Sequence, residues 1–118
     1  MLSQNPIGFA IANQTVERFD ISVTDGEVNK LTNLCLVKVK LGLDGGNFAV
    51  LEATEILNTA LNFYFDVPTQ AYVYRNSFTS VDFSVTSIDE GDLIYAFFGA
   101  STVNDISPIW FNLKCSID

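Results

Sequence analysis

The chain has 118 residues and a net charge of −8, with 48% hydrophobic and 17% charged residues. This length suits one domain with its own hydrophobic core, so residues 1–118 are predicted to form a single domain. The high apolar content excludes a disordered chain. The six lysines and arginines are scattered and opposed by 14 acids. They offer no basic patch for phosphates or anionic lipids, so neither a nucleic-acid partner nor a membrane partner is expected.

The first twelve residues do not have the composition expected of an export signal. Residues 1–6 have no basic cluster, and the apolar stretch at residues 7–12 is too short for a signal peptide. We therefore expect no signal peptide and synthesis in the cytoplasm. Cys35 and Cys115 fall at predicted inward strand positions and are interpreted as two free thiols of a reducing compartment. A disulfide between them is the alternative.

Alternating hydrophobicity predicts β-strands in the first half of the chain. Residues 7–12 and 18–24 fit two short strands, and residues 33–41 fit the longest one. The longest strand begins apolar on both sides, so one of its ends is expected to be covered and the other open to water. Its predicted inward face consists of Cys35, Val37, Val39 and Leu41, and the opposite face consists of Leu34, Leu36, Lys38 and Lys40.

The sequence Asp-Gly-Gly-Asn at residues 44–47 is the strongest turn signal in the chain. After it, Val50, Ala53 and Leu57 recur at helical spacing, and Asn47 is a suitable N-cap residue. This pattern predicts one short helix near residues 48–60. A strand over the same residues is the alternative, because Val50 and Ile56 also fit a face with a period of two.

The second half of the chain returns to strand patterns. Residues 63–65, 71–75, 81–86 and 109–117 have the composition or alternation of short strands. Residues 93–100 are apolar or small at eight consecutive positions, which is typical of a strand buried on both faces. The fold class predicted from these segments is an all-β, antiparallel β-sandwich of Greek-key or jelly-roll type, with seven to eight strands and the one short helix.

The residues give little support for catalysis. The chain has no histidine, which excludes Ser-His-Asp and Cys-His catalysis and His-ligated zinc. Nucleotide-binding glycine motifs are absent, and the acids are interpreted as solvated surface groups. We therefore expect a protein that is not an enzyme and binds no cofactor. Asp89, Glu90 and Asp92 crowd one turn and are weak candidates for a calcium site.

Aromatic residues are the remaining functional signal, because exposed tyrosine and tryptophan are enriched in interfaces. They could equally line the second layer of the core. The predicted interface consists of Tyr72, Tyr74, Leu93, Tyr95, Phe97, Phe98 and Trp110. The alternative, a site for a carbohydrate or another small ligand, would use Tyr64, Tyr72, Tyr74 and Trp110.

These features favour a non-catalytic structural or interaction module of a larger assembly. The chain is small and contains few charged residues, and it has more apolar strand surface than one thin sandwich hides. We expect a homo-oligomer, dimer or trimer, with protein partners. The most concrete hypothesis is a virion-associated protein, such as a phage capsid decoration (cement) protein or a tail component.

Overall fold

The computed structural model of the chain describes residues 2–3, 7–25, 31–100 and 109–118. Their regular secondary structure consists of ten β-strands in two antiparallel sheets, which confirms the all-β prediction. The strands are β1 (Leu2–Ser3), β2 (Gly8–Phe9), β3 (Gln14–Asp25), β4 (Leu31–Asp44), β5 (Asn47–Ala60), β6 (Tyr64–Asp66), β7 (Ala71–Thr79), β8 (Ser87–Ile88), β9 (Leu93–Ala100) and β10 (Ile109–Ile117). The first sheet has the order β1-β9-β4-β5, with β2 also paired to β9, and the second has the order β10-β3-β7-β6, with β8 also paired to β3.

The two sheets share one hydrophobic core. Leu34, Leu36 and Phe98 of the first sheet belong to the same buried cluster as Phe19 and Ile21 of the second. The rings of Phe98 and Phe111 bridge the two sheets, with their centroids 5.9 Å apart. Each sheet therefore has an inner face that lines this core and an outer face that points away from it.

The prediction of a helix near residues 48–60 is wrong, because these residues belong to β5. Asp44 pairs with Asn47 across a two-residue turn, in which Gly45 has φ = 60° and Gly46 has φ = 90°. Positive φ at both central residues matches the twist of a tight hairpin. The turn predicted at this place is thus confirmed. It sends the chain straight back along β4, so pairing with β4 prevails over the helical pattern.

Two irregularities in β5 explain the misleading helical spacing. Leu36 pairs with Leu57 and Val37 with Glu55, which leaves Ile56 as an extra residue. A second shift, between Lys40 and Leu41 of β4, leaves an extra residue at position 51. Each bulge advances the alternation of β5 by one residue, so its apolar positions no longer follow a strict period of two.

The predicted number of seven to eight strands also differs from the structure. Three of the ten strands are only two residues long, and sequence periodicity does not reveal pairs of that length. The strand predicted at residues 81–86 is not formed. Instead, Phe83 is buried in the core and the Ser84 amide donates a hydrogen bond to the Ile56 carbonyl at 2.8 Å.

The two faces of β4 are reversed relative to the prediction. Leu34 and Leu36 lie in the core, while Cys35 and Val37 lie on the outer face of the first sheet. Cys115 instead lies on the inner side of the second sheet, packed against the core. Both cysteines are free and half-buried, and they belong to different faces of the molecule.

Candidate functional site

The outer face of the first sheet carries a continuous set of apolar side chains in the described residues. In β9, Ile94, Ala96 and Phe98 point into the core, so the alternate residues point outward. The register with β2, β4 and β5 extends this surface across the sheet. We call it the apolar face: Phe9, Cys35, Val37, Val39, Leu41, Val50, Ala53, Glu55, Asn58, Leu93, Tyr95 and Phe97.

Aromatic rings form one side of the apolar face. Tyr95 and Phe97 are stacked, with ring centroids 5.8 Å apart and planes at 18°. Their register partners in β4 are Val37 and Cys35. Tyr95 and Phe97 are half-buried, whereas Val50 on β5, at the other side of β4, is 61% exposed. The face therefore combines a flat aromatic area with exposed aliphatic side chains.

The apolar face carries one charged side chain among its described members, Glu55. Its carboxylate Oε2 lies 3.7 Å from the Cys35 Sγ. Burial raises the pKa of the Cys35 thiol, and the negative charge of Glu55 raises it further. Both effects disfavour the thiolate, which is the nucleophilic form of this side chain.

The outer face of the second sheet has the opposite, polar character. Asp20 accepts hydrogen bonds from Arg18 Nε at 2.7 Å and Asn112 Nδ2 at 3.2 Å. Hydrogen bonding to Ser77, Arg18 and Asn112 lowers the pKa of Asp20 to about 2. Trp110 stands beside this network and is 58% exposed.

The predicted interface residues do not form one surface. Leu93, Tyr95 and Phe97 lie together on the apolar face, whereas Trp110 lies on the outer face of the second sheet. Phe98 is 1% exposed and is a core residue, because it occupies the inward phase of β9. This position removes Phe98 from any interface of the folded chain.

The tyrosines of β7 also face inward rather than outward. Tyr74 is paired with Val23 and is 6% exposed, and its hydroxyl accepts a hydrogen bond from Asn76 Nδ2 at 3.2 Å. Tyr72 has the same phase, and the centroid of its ring lies 5.2 Å from that of Phe65. Residues 72–74 are apolar at every position, so their sequence does not indicate which side is buried.

The four aromatic residues of the alternative ligand site are thus separated. Tyr64 is exposed and pairs with Val73, which places it on the outer phase of its strand. Tyr72 and Tyr74 have the inward phase, and Trp110 lies on β10, two strands away from β7. The structure therefore does not assemble these residues into one platform.

The acidic turn at residues 89–92 is held by internal contacts, and the buried Oδ1 of Asp92 is left without a hydrogen-bond partner among the described residues. Asp92 is 2% exposed, and its Oδ2 accepts a hydrogen bond from the Asp89 amide at 3.0 Å. The Asp89 carboxylate pairs with Lys40 Nζ at 2.8 Å. The Glu90 amide donates to Asn13 Oδ1 at 2.8 Å. In the described part of the chain, no three acidic or cysteine side chains come together as a metal-binding group.

Sequence reasoning missed the β4 and β5 members of the apolar face. The sequence pattern places Cys35, Val37 and Val39 on the predicted inward face, opposite Lys38 and Lys40. The available signal was the eight-residue apolar run of β9, which predicts burial on both faces. Its outward residues need apolar neighbours on the adjoining strand, and Val37 and Val39 are those neighbours.

No family model, no curated protein and no solved structure matches this chain. None of the segments that the structure describes is a helix of the length and hydropathy needed to cross a membrane.

Proposed function

We propose that this chain is a non-catalytic β-sandwich module that binds a second copy of itself through the apolar face and so acts as a building block of a larger assembly. The observation that carries this proposal is the composition of the apolar face. Glu55 is its single charged member, whereas a sheet face that is exposed to water ordinarily carries polar and charged side chains. Depletion of charge is the compositional mark of the centre of an interface.

The size of the apolar face supports a stable contact. Its three main strands, β5, β4 and β9, are spaced by about 4.8 Å, and ten residues of strand extend about 34 Å. The flat area is then roughly 500 Å², and side-chain relief increases the accessible area. This is comparable to the ~800 Å² per partner that a standard interface buries.

A second copy is the partner that best fits this chemistry. The chain carries a net charge of −8, yet the apolar face has no pattern of charges that would complement a basic or acidic partner. Recognition must therefore depend on shape and apolar contact. Two flat sheets can pack face to face at about 10 Å, and one patch used by both copies gives a closed dimer.

A virion-associated role, as a capsid decoration protein or tail component, is the concrete form we propose for the assembly. Small size, few charged residues and the absence of histidine support a structural role over a catalytic one. The engagement of Asp20 with Arg18 and of Asp89 with Lys40 supports it too, because these carboxylates are tied up in ion pairs.

Sedimentation velocity over a range of protein concentrations tests the proposal. Val50→Lys and Ala53→Lys place a charge on exposed positions of the apolar face, and Val81→Lys places the same charge on a turn residue that is 88% exposed. We expect the wild type and Val81→Lys to sediment as a closed oligomer and the two face variants to shift to monomer. A monomeric wild type at high concentration would refute the proposal, as would face variants that associate like the wild type.

A further inference from the structure

The outer face of the second sheet aligns side chains in two rungs across β10, β3 and β7. Trp110 pairs with Ser22, and Ser22 pairs with Arg75, which makes the first rung. Asn112, Asp20 and Ser77 form the second rung in the same way. Residues of both rungs line a shallow depression of about 410 Å³. Pairing places all of these side chains on the outer phase of their strands.

Trp110 gives this depression an exposed aromatic plane. At 58% exposure, the indole stands on a sheet surface whose neighbouring side chains are polar. A single exposed ring among fixed polar groups differs from a hydrophobic interface patch, where apolar neighbours surround the ring. Small-ligand sites combine aromatic walls with a few precisely placed polar groups, and this is the arrangement here.

The polar groups around Trp110 are held in place. Arg75 Nε donates to Ser22 Oγ at 3.3 Å, which orients the guanidinium on the first rung. The terminal nitrogens of Arg75 have no partner in the parts of the chain that the structure describes, and they remain as donors for a ligand. On the second rung, Asp20 is fixed by Arg18 and Asn112 and stays ionised at neutral pH.

Half of the basic residues of the sequence lie on this face. Arg18, Arg75 and Lys114 are three of the six basic residues in the sequence, and all three occupy its outer phase. Arg18 pairs with Asp20, and Lys114 lies 3.6 Å from Glu17. Arg75 has no such carboxylate within 4 Å among the described residues. It is therefore the guanidinium available to an anionic ligand.

We propose that the rung of Trp110, Ser22 and Arg75, with Asp20 beside it, binds a short acidic saccharide that contains a uronate. The indole stacks on a pyranose ring, and the Arg75 guanidinium donates hydrogen bonds to the sugar carboxylate. The Cα atoms of Trp110 and Arg75 are two strand spacings apart, about 10 Å, and the Arg75 guanidinium reaches back to Ser22 between them, so the indole and the guanidinium lie along the same rung. Asp20 accepts a hydrogen bond from a sugar hydroxyl. This site lies on the opposite sheet from the apolar face, so it is independent of self-association.

Tryptophan fluorescence tests this site directly, because Trp110 is the only tryptophan in the chain. The probes are trigalacturonate and a hyaluronan tetrasaccharide, with neutral galactotriose for comparison. We expect at least one of the two acidic probes to change the tryptophan emission saturably. Galactotriose is expected to bind about tenfold more weakly than that probe. No response to either acidic probe would overturn the proposal, and so would a response of the same strength to galactotriose.

Two charge-matched variants separate a specific site from general attraction. Arg75→Gln removes the guanidinium of the rung, and Lys114→Gln removes an equal charge from the same outer face. We expect about a tenfold loss of affinity for the acidic probe with Arg75→Gln and little loss with Lys114→Gln. Equal losses in the two variants would overturn the proposal. Calorimetry with Trp110→Phe is expected to show weaker binding, and unchanged binding would also contradict it.

Discussion

Phe97 and Phe98 are neighbours in the chain but face opposite sides of the first sheet. Phe98 is 1% exposed and contacts the Phe111 ring in the core at 5.9 Å. Phe97 stacks on Tyr95 on the apolar face at 5.8 Å. The same side chain at adjacent positions thus allows fold stability and self-association to be examined separately.

Replacing each phenylalanine by alanine should separate these two roles. Phe98→Ala is expected to lower the free energy of unfolding by about 3–5 kcal/mol, because it leaves a cavity in the core. Phe97→Ala should cost clearly less stability and instead weaken self-association. Urea unfolding combined with sedimentation measures both effects. Equal losses of stability in the two variants would contradict the assignment of the faces.

The turn between β4 and β5 should depend on Gly46. Its φ of 90° is unfavourable for any residue with a Cβ, so Gly46→Ala is expected to cost about 1–2 kcal/mol of unfolding free energy. Gly45→Asn is the matched control, since its φ of 60° is one that asparagine adopts readily in such turns. Chemical unfolding of both variants checks the hairpin. If Gly46→Ala proved as stable as the control, the turn would have another conformation.

Asp92 should stabilise the turn at residues 89–92 from within. Asp92→Ala leaves the Asp89 amide without the partner that it has in the structure, and we expect a loss of about 1–3 kcal/mol. Glu90→Ala, in the same turn, removes an exposed side chain and should change stability by less than about 0.5 kcal/mol. Thermal and urea unfolding provide the comparison. A loss at Glu90 as large as that at Asp92 would argue against a stabilising role for the hydrogen bond between Asp92 and the Asp89 amide.

Asp20 should contribute to the acid sensitivity of the fold. Its pKa falls from 3.8 to about 2 on folding, so the ionised form is favoured in the native state. The stability contributed by Asp20 is fully present above about pH 4 and is lost as the pH falls through 2. We expect Asp20→Asn to show a shallower decrease in melting temperature between pH 4 and pH 2 than the wild type. The exposed Glu90→Gln variant should follow the wild type, and identical slopes for all three proteins would exclude this contribution.

The all-β class and several strands were predictable because their patterns are local. Phe19 and Ile21 alternate with polar residues in the sequence, and both are buried. The Gly-Gly turn was predictable for the same reason, since the turn needs residues that adopt positive φ and glycine does so readily. These features depend on side-chain alternation and turn chemistry alone.

The errors arose where partners distant in sequence decide the outcome. Ile56 lies in a bulge of β5, and such a shift is visible only against the register of β4. Cys35 and Leu34 are both apolar, so the sequence alone did not indicate which of them enters the core. Tyr74 is buried because β7 presents that phase to the core, a choice made by its pairing with β3.

The central claim is that the apolar face is covered by a second copy in solution, and Cys35 is a probe within that face. Its rate of alkylation at fixed pH, followed by mass spectrometry from low to high protein concentration, measures the covering directly, with Cys115 on the second sheet as the internal control. We predict that modification of Cys35 slows markedly as concentration rises while that of Cys115 does not. Equal rates for Cys35 at all concentrations would contradict the account.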